Sequence, residues 1–384
     1  MGDTTMCRGG RLRVAGRSGV LVAMSDPLLG RGRVPAIDVV RGFVMIVMTL
    51  DHASSSFNAQ RLMVDGAATY TPGTALDPLQ FAVRWVTHLC APTFVLLAGV
   101  ALALSVTRRL ADGQRGSIDR DILIRGALLI ALDAAWMGWV WRLDWPLQLG
   151  VLYAIGMAMI GMIALRRLPA PVVGALGVAI LAGGEAVNHL LDPHSALVAA
   201  TTAGGQIGHI YYLYPFLPWA GFLMIGWALG VRLAGPGLRA RDWAGLAAIA
   251  AGVFVIVRGL DGYGNADLFR GGSSWIDWLH VSKYPPSLAY AALELAIAFA
   301  LLAVAWRWPR PWWVLVVLGQ TALFYYLLHV HLFKLAARAL GLYKSAGLGV
   351  TVVAWLAMVA LLVAPCCWYR RVKQRRPASV LRFL

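Results

Sequence analysis

Residues 33–52 read RVPAIDVVRGFVMIVMTLDH, an apolar helical pattern with ionisable side chains at both ends. Asp38 and Arg41 lie near its start, and Asp51 and His52 close it. Arg41 and His52 are 52 − 41 = 11 residues apart. On a helix this separation is about three turns, so both side chains share one face, roughly 16 Å apart along the axis. Because ionisable groups are costly inside a membrane, the stripe is a hypothesis for a functional site.

A purely structural explanation of these four side chains stays open. Asp38 and Arg41 are three residues apart and could form a local ion pair at the start of the helix. Asp51 and His52 could lie in the lipid headgroup layer at its other end. The stretch alone does not separate the two explanations.

The composition is typical of an integral membrane protein. Of the 384 residues, 59% are hydrophobic and 14% are charged, and the mean hydropathy is +0.68. The net charge of +16 comes from Lys and Arg between the hydrophobic segments. This is where the positive-inside rule expects them, so a soluble domain that binds nucleic acid is not indicated. The four cysteines lack paired spacing, and neither a disulfide framework nor a zinc site is predicted.

The fold class that follows is all-α, a polytopic integral membrane helix bundle of about ten transmembrane helices. Lys and Arg are concentrated in alternate loops, which predicts that both termini are cytoplasmic and that His52 faces outward. The predicted domains are a disordered basic tail at 1–32, a transmembrane domain at 33–369 and a basic tail at 370–384. The predicted spans are 36–52, 81–106, 121–141, 147–165, 171–188, 214–232, 243–259, 286–306, 313–333 and 347–369.

The second predicted span opens with RWVTHLCAPTFVLLAG at 84–99. Arg84 and His88 are four residues apart and therefore share a helix face. Pro92 follows His88 by four residues, so its ring displaces the His88 carbonyl from the hydrogen-bond ladder and kinks the helix. We expect the kink to leave that carbonyl available to a ligand or water. The alternative is that His88 only hydrogen-bonds a neighbouring helix.

The ninth predicted span contains LGQTALFYYLLHVHLFK and ends in the same membrane leaflet as His52. His329 lies four residues after Tyr325, so we expect both to face the bundle while His331 points elsewhere. Histidines from separate helices could bind a metal, but no carboxylate-rich or HExxH-type spacing supports one, and we expect none. A histidine beside a carboxylate is better suited to proton transfer near neutral pH.

Two carboxylates, Asp133 and Glu294, lie within predicted spans. An unpaired carboxylate in lipid is disfavoured, so each is either functional or a neutral hydrogen-bond partner between helices.

Six blocks of the sequence, taken together, resemble a known family. They are residues 33–52, RWVTHLCAPTFVLLAGVALAL at 84–104, LQLGVLYAIGM at 147–157, FLPWAGFLMIGWALG at 216–230, KYPPSLAYAALELAIAF at 283–299 and LGQTALFYYLLHVHLF at 318–333. In this order they resemble the bacterial branch of the heparan-alpha-glucosaminide N-acetyltransferase catalytic-domain family, within the transmembrane acyltransferase superfamily. That superfamily carries an RG pair followed by a histidine at the far end of the first span, and Arg41-Gly42 and His52 have the same spacing.

The resemblance implies an acyltransferase that moves an acetyl group from cytoplasmic acetyl-CoA to an amine or hydroxyl of an extracytoplasmic sugar or glycan. His52 would be the general base, oriented by Asp51, with His88 as the alternative base. Arginines would hold the CoA phosphates, which suit bidentate guanidinium contacts. The implied site residues are His52, Asp51 and His88 for catalysis, Arg41, Asp38 and Arg108 for acetyl-CoA, and Arg84, Tyr325 and His329 for the acceptor.

We expect membrane lipids and a glycan acceptor as partners, no nucleic acid, and the bacterial cytoplasmic membrane as the location. A homodimer is compatible with the sequence. The competing hypothesis is a non-enzymatic carrier, in which the same polar stripe lines a pathway for a sugar, a lipid-linked glycan or a proton. An acyltransferase releases CoA in the presence of acceptor, whereas a carrier moves its substrate without consuming acyl-CoA.

Overall fold

The computed structural model describes residues 34–114, 116–138, 147–192, 195–309, 312–376 and 379. The predicted tail at 1–32 lies outside this part of the chain. The helices are α1 (Pro35–Phe57), α2 (Pro78–His88), α3 (Cys90–Ala111), α4 (Ile118–Ala131), α5 (Val151–Leu165), α6 (Ala170–Leu190), α7 (Phe216–Ala234), α8 (Ala240–Leu260), α9 (Trp275–Leu279), α10 (Leu288–Arg307), α11 (Trp313–Gln320), α12 (Ala322–Ala339) and α13 (Leu348–Arg375). Leu132–Met137 continues α4 as a wider helical turn, and short helical turns cover Ala67–Thr69, Ala196–Val198 and Ala199–Ala203.

The described chain is a mostly helical, polytopic membrane protein, as predicted. Each predicted span overlaps a helix, but fewer helices are both long and apolar enough to cross a membrane. Six segments meet both conditions, and α11 with α12, bent by 87° at their junction, would make a seventh. The figure of ten spans and the side of the termini stay predictions. The six segments are Pro78–Ala111, Ala170–Leu190, Phe216–Ala234, Ala240–Leu260, Leu288–Arg307 and Leu348–Arg375.

A small sheet departs from the all-α expectation. β1 (Leu147–Leu149) pairs in parallel with β3 (Ile210–Tyr212), which pairs antiparallel with β2 (Gly205–Ile207). The span predicted at 147–165 therefore begins as a strand, and its helix starts only at Val151. Three-residue strands carry too short a pattern to be recognised in sequence, because their pairing joins segments about sixty residues apart.

The position of α1 is fixed by backbone-to-backbone contact with α11. A Cβ atom on Gly42 would collide with the Leu315 carbonyl, and one on Gly319 would collide with the Asp38 carbonyl. Glycine at both positions lets the two helices approach more closely than side chains would allow. This contact places α11 and α12 directly against the helix that carries the polar stripe.

The predicted kink in the second span is present as a break at Leu89 between α2 and α3. The released carbonyl of His88 is not left to a ligand or water, however. The Tyr290 hydroxyl donates a hydrogen bond to it over 3.1 Å. A buried carbonyl without a partner is costly, and α10 supplies the donor.

The two carboxylates within the predicted spans differ in their surroundings. Asp133 Oδ2 accepts the backbone N–H groups of Gly150 over 2.6 Å and Tyr153 over 2.8 Å, at the start of α5. It therefore joins helices, since it satisfies amides that the first turn of α5 leaves unbonded. The carboxyl oxygens of Glu294 are buried and have no hydrogen-bond partner among the described residues.

Candidate functional site

A cavity of about 1280 Å³ runs beside α1 for most of its length. The α1 side chains in its wall recur every three or four residues, so one face of the helix lines it. Arg41 and His52, which the spacing assigned to one face, both belong to this wall. The α1 wall residues are Ile37, Asp38, Arg41, Met45, Met48, Asp51, His52 and Ser55.

We call the part of the cavity around Asp51, His52, Arg84 and Lys283 the histidine end. His52 is 8% exposed, and its Nδ1 lies 2.6 Å from Nε2 of His329. The other nitrogen of His329, Nδ1, lies 2.8 Å from the Tyr325 carbonyl. A carbonyl only accepts, so in neutral rings Nδ1 of His329 carries the proton and its Nε2 accepts. His52 then donates from Nδ1, and its Nε2 carries the lone pair that a general base requires.

Tyr325 and His329 do not line the cavity, in contrast to their predicted role in acceptor binding. His329 is fully buried against His52, and the Tyr325 hydroxyl is 2.8 Å from Thr49 Oγ1. Tyr326, the next residue along α12, lies in the cavity wall instead. As expected, Tyr325 and His329 share a helix face that points into the bundle. This face packs against α1 instead of bordering the cavity.

The Asp51 carboxylate bonds to α2 and to the loop before it, not to His52. Its Oδ1 accepts from Arg61 over 2.8 Å, from Arg84 over 2.6 Å and from Thr87 Oγ1 over 2.8 Å. The predicted orientation of His52 by Asp51 is therefore replaced by the hydrogen bond from His52 to His329. Asp51 still acts on His52 through its charge.

Asp65, which the sequence analysis did not single out, connects Arg84 to His88. Its carboxylate accepts from Arg84 Nε over 3.0 and 2.9 Å and from the Arg84 terminal nitrogen, and it lies 3.0 Å from His88 Nε2. Burial alone would raise the pKa of Asp65, but the Arg84 guanidinium and the bond from His88 hold that pKa well below its usual range. A buried arginine requires a carboxylate partner, and Asp65 and Asp77 are the only acidic residues in the segment 53–80. The sequence therefore did limit the possible partners of Arg84 to a few residues.

His88 and Arg84 therefore belong to a closed ion network. His88 is 3% exposed, donates Nε2–H to Asp65 and is not part of the cavity wall. Arg84 reaches the wall, but its guanidinium is bonded to Asp51 and Asp65. These positions suit His52 better than His88 for proton transfer, and they make Arg84 a structural cation at the edge of the cavity.

We call the opposite part of the cavity, around Arg41, Arg108, Arg125 and Lys373, the basic end. Asp38 lies 3.8 Å from Arg41, so the local ion pair considered for this helix start does form. Asp38 also accepts from Gln320 Nε2 over 3.0 Å, and Arg41 donates to the Leu97 carbonyl over 3.3 Å.

Arg125 on α4 is the residue that the sequence analysis missed at the basic end. It lines the cavity, the charge of Arg41 acts on it, and it has no hydrogen bond or ion pair among the described residues. An arginine inside the predicted span 121–141 was the signal available. Four cations with one nearby carboxylate form a surface that could hold a polyanionic ligand.

A family model for the heparan-alpha-glucosaminide N-acetyltransferase catalytic domain matches residues 33–259. The chain belongs to this family. The match begins at the stretch that carries Arg41 and His52 and ends in α8, before the segments that contribute Lys283 and His329. No curated protein matches the chain.

Membership in the N-acetyltransferase family, together with the apolar helices, makes this chain a multi-pass membrane protein of an acetyltransferase class. Both ends of the cavity include α1, and α1 lies within the matched segment. The family match therefore covers the α1 side of the cavity, whereas Lys283 and Lys373 in the cavity wall lie beyond it.

Proposed function

We propose that this protein transfers an acetyl group from cytoplasmic acetyl-CoA to an amine or hydroxyl of an extracytoplasmic sugar or glycan, in a bacterial cytoplasmic membrane. One observation carries the proposal: a single cavity joins a cation-rich end to a buried histidine at the far end of the same helix. Acetyl transfer across a membrane needs both ends, because donor and acceptor enter from opposite sides.

The basic end supports binding of the donor. The phosphates of acetyl-CoA are polyanionic, and guanidinium groups bind phosphate oxygens in a bidentate manner. Arg41, Arg108 and Arg125 would hold them, with Lys373 adding a fourth charge. Arg125 is the best suited of these, because no other described residue occupies its guanidinium.

The histidine end supports proton transfer. His52 Nε2 accepts the proton of the acceptor amine or hydroxyl as that atom bonds to the acetyl carbon, and later returns a proton to the leaving sulfur. His329 holds His52 in the required tautomer, so we assign His329 as a positioning residue rather than an acceptor ligand. General-base catalysis of this kind contributes about 10²- to 10⁴-fold.

The test uses the full chain, purified and reconstituted into lipid vesicles, with acetyl-CoA and D-glucosamine as the first acceptor of a sugar panel. Release of free CoA thiol is measured with and without sugar. We expect acceptor-dependent release, which His52→Ala reduces by at least about 10²-fold. The matched control is His189→Ala, because His189 is an exposed histidine on α6 outside the cavity wall.

Two results would overturn the proposal. One is full thiol release by His52→Ala. The other is uptake of labelled sugar into the vesicles without any consumption of acetyl-CoA, which is the behaviour of a carrier.

A further inference from the structure

Lys283 is a buried cation at the histidine end to which the proton transfer proposed above gives no role. Lys283 is 4% exposed and lines the cavity. Its ammonium has no hydrogen bond or ion pair with any described residue. It forms a cation–π contact with the Tyr284 ring, in which Nζ lies 5.3 Å from the ring centroid. A buried ammonium that forms no ion pair with a carboxylate is costly to the fold, which makes this residue a candidate for a functional role.

The backbone of Lys283 is held by the loop that carries the ion network. Its N–H donates to the Asp65 carbonyl over 2.7 Å, and the N–H of Tyr284 donates to the same oxygen over 3.2 Å. A Cβ atom on Gly66 would collide with the Tyr284 carbonyl, so glycine is needed for this close approach. The backbone carbonyl of Asp65 therefore holds the turn that carries Lys283, while the carboxylate of the same residue bonds to Arg84 and His88.

The charge of Lys283 reaches the proposed base and its neighbour. Its ammonium acts electrostatically on His52 and Asp51, and also on the buried carboxyl group of Glu294, with which it forms no ion pair. Arg61 and Arg84 also act on His52, but both are bonded to carboxylates. Lys283 therefore differs from the other cations of this end, because its three N–H donors are directed to no described carboxylate and remain available to a ligand in the cavity.

Acetyl transfer requires such a donor in addition to a base. When the acceptor atom bonds to the acetyl carbon, the electron pair of the C=O bond moves to oxygen, and this oxygen becomes negative. A donor aimed at that position in a site shielded from water stabilises the transition state more than the ground state.

We propose that Lys283 is the catalytic residue that stabilises this oxyanion. His52 Nε2 takes the acceptor proton, the new bond forms to the acetyl carbon, and the Lys283 ammonium donates a hydrogen bond to the carbonyl oxygen. The C=O bond then re-forms as the C–S bond breaks, and the sulfur leaves as a thiolate that receives the proton from His52. The inference rests on the proposed function, since it requires acetyl-CoA as the donor.

The competing role for Lys283 is to bind a negative group on the acceptor. That role predicts a higher KM for the acceptor with little change in kcat, because the contact would be equal in ground and transition states. Oxyanion stabilisation predicts the reverse, a lower kcat with unchanged KM.

The test compares Lys283→Met, which keeps length and removes charge, with Lys283→Arg, which keeps charge. With acetyl-CoA and D-glucosamine we expect Lys283→Met to lower kcat by about 10²- to 10³-fold, as for loss of an oxyanion donor. Lys283→Arg should recover part of this loss. Lys344→Met removes an exposed lysine elsewhere in the cavity wall. Its reduction of kcat should be at least about tenfold smaller than that caused by Lys283→Met.

A second measurement does not depend on turnover. Acetyl-CoA labelled with ¹³C at the carbonyl is bound to the reconstituted protein without acceptor, and the C=O stretch is recorded by infrared difference spectroscopy. A hydrogen bond from Lys283 lowers the stretching frequency, and Lys283→Met should return it toward the value in solution. Binding of acetyl-CoA by calorimetry confirms that the variant is folded.

The outcomes separate the inference from the proposed function. If the unmodified protein releases no thiol with any acceptor, the proposed function fails. If it is active while Lys283→Met retains kcat, raises only the acceptor KM, or leaves the C=O frequency unshifted, then the assignment of Lys283 alone is wrong.

Discussion

At the histidine end of the cavity Arg61 and Arg84 are bonded to the carboxylates of Asp51 and Asp65, whereas at the basic end Arg125 has no such partner in the described chain. Both regions are rich in arginine and both line the same space. The paired arginines hold α1, α2 and the loop between them together. Removal of either partner of a pair would leave the opposite charge buried without a counter-ion. An unpaired arginine contributes nothing of this kind and is available to an anionic ligand. The same residue type therefore serves structure at one end and, we propose, binding at the other.

Replacement of Arg84 should give the largest effect on stability. Arg84→Met leaves Asp51 and Asp65 buried without their shared partner, and breaking a buried pair in this way costs about 3–5 kcal/mol. Thermal unfolding of the purified protein in detergent measures the loss. The same substitution at Arg125 is the control, and equal destabilisation by both variants would erase the distinction between the two ends.

Replacement of Arg125 should instead reduce donor affinity. Hydrogen bonds to charged groups contribute about 1.5–3 kcal/mol, so Arg125→Met should weaken the binding of acetyl-CoA about 10- to 100-fold. Its unfolding temperature should stay close to that of the unmodified protein. Calorimetric titration with acetyl-CoA checks the affinity, and an unchanged Kd would argue that the basic end does not bind the phosphates.

Acidification should destabilise the histidine end through protonation of Asp65. We expect this to be the smallest of the three effects. Its pKa is well below the ordinary 3.8 in the folded protein, so the unfolded chain binds the proton first as the pH falls. The stabilisation by Asp65 is complete above about pH 4 and is lost progressively below it. Unfolding temperatures between about pH 6 and about pH 3 should fall less steeply for Asp65→Asn. Parallel curves would show that Asp65 is not the titrating group.

Sequence reasoning succeeded where the information is local. Hydropathy identified the helices, and the helical period assigned Arg41 and His52 to one face, since both signals repeat within a few turns. The break near His88 followed from Pro92 for the same reason. It did not foresee that Tyr325 and His329 contact α1 rather than line the cavity, because the packing against α1 depends on glycines in α1 and α11.

Asp65 and Lys283 show the corresponding limit for loops. Both lie outside the helical pattern, where periodicity carries no signal, and the block that contains Lys283 carries no signal other than its resemblance to a family. Their roles depend on the contact between the Lys283 N–H and the Asp65 carbonyl, which joins segments more than two hundred residues apart.

The sequence by itself determined that this is a membrane helix bundle of an acetyltransferase family with a polar stripe on its first helix. Apolar segment length, helical spacing and family motifs are all properties of contiguous residues. Only the tertiary structure decided that His52 bonds to His329, that Asp51 bonds to Arg84, and that Lys283 lines the cavity without an ion pair to any described residue. Which buried polar groups bond to each other depends on which helices, distant in sequence, pack together. Each such bond stabilises the fold only after those helices have come into contact.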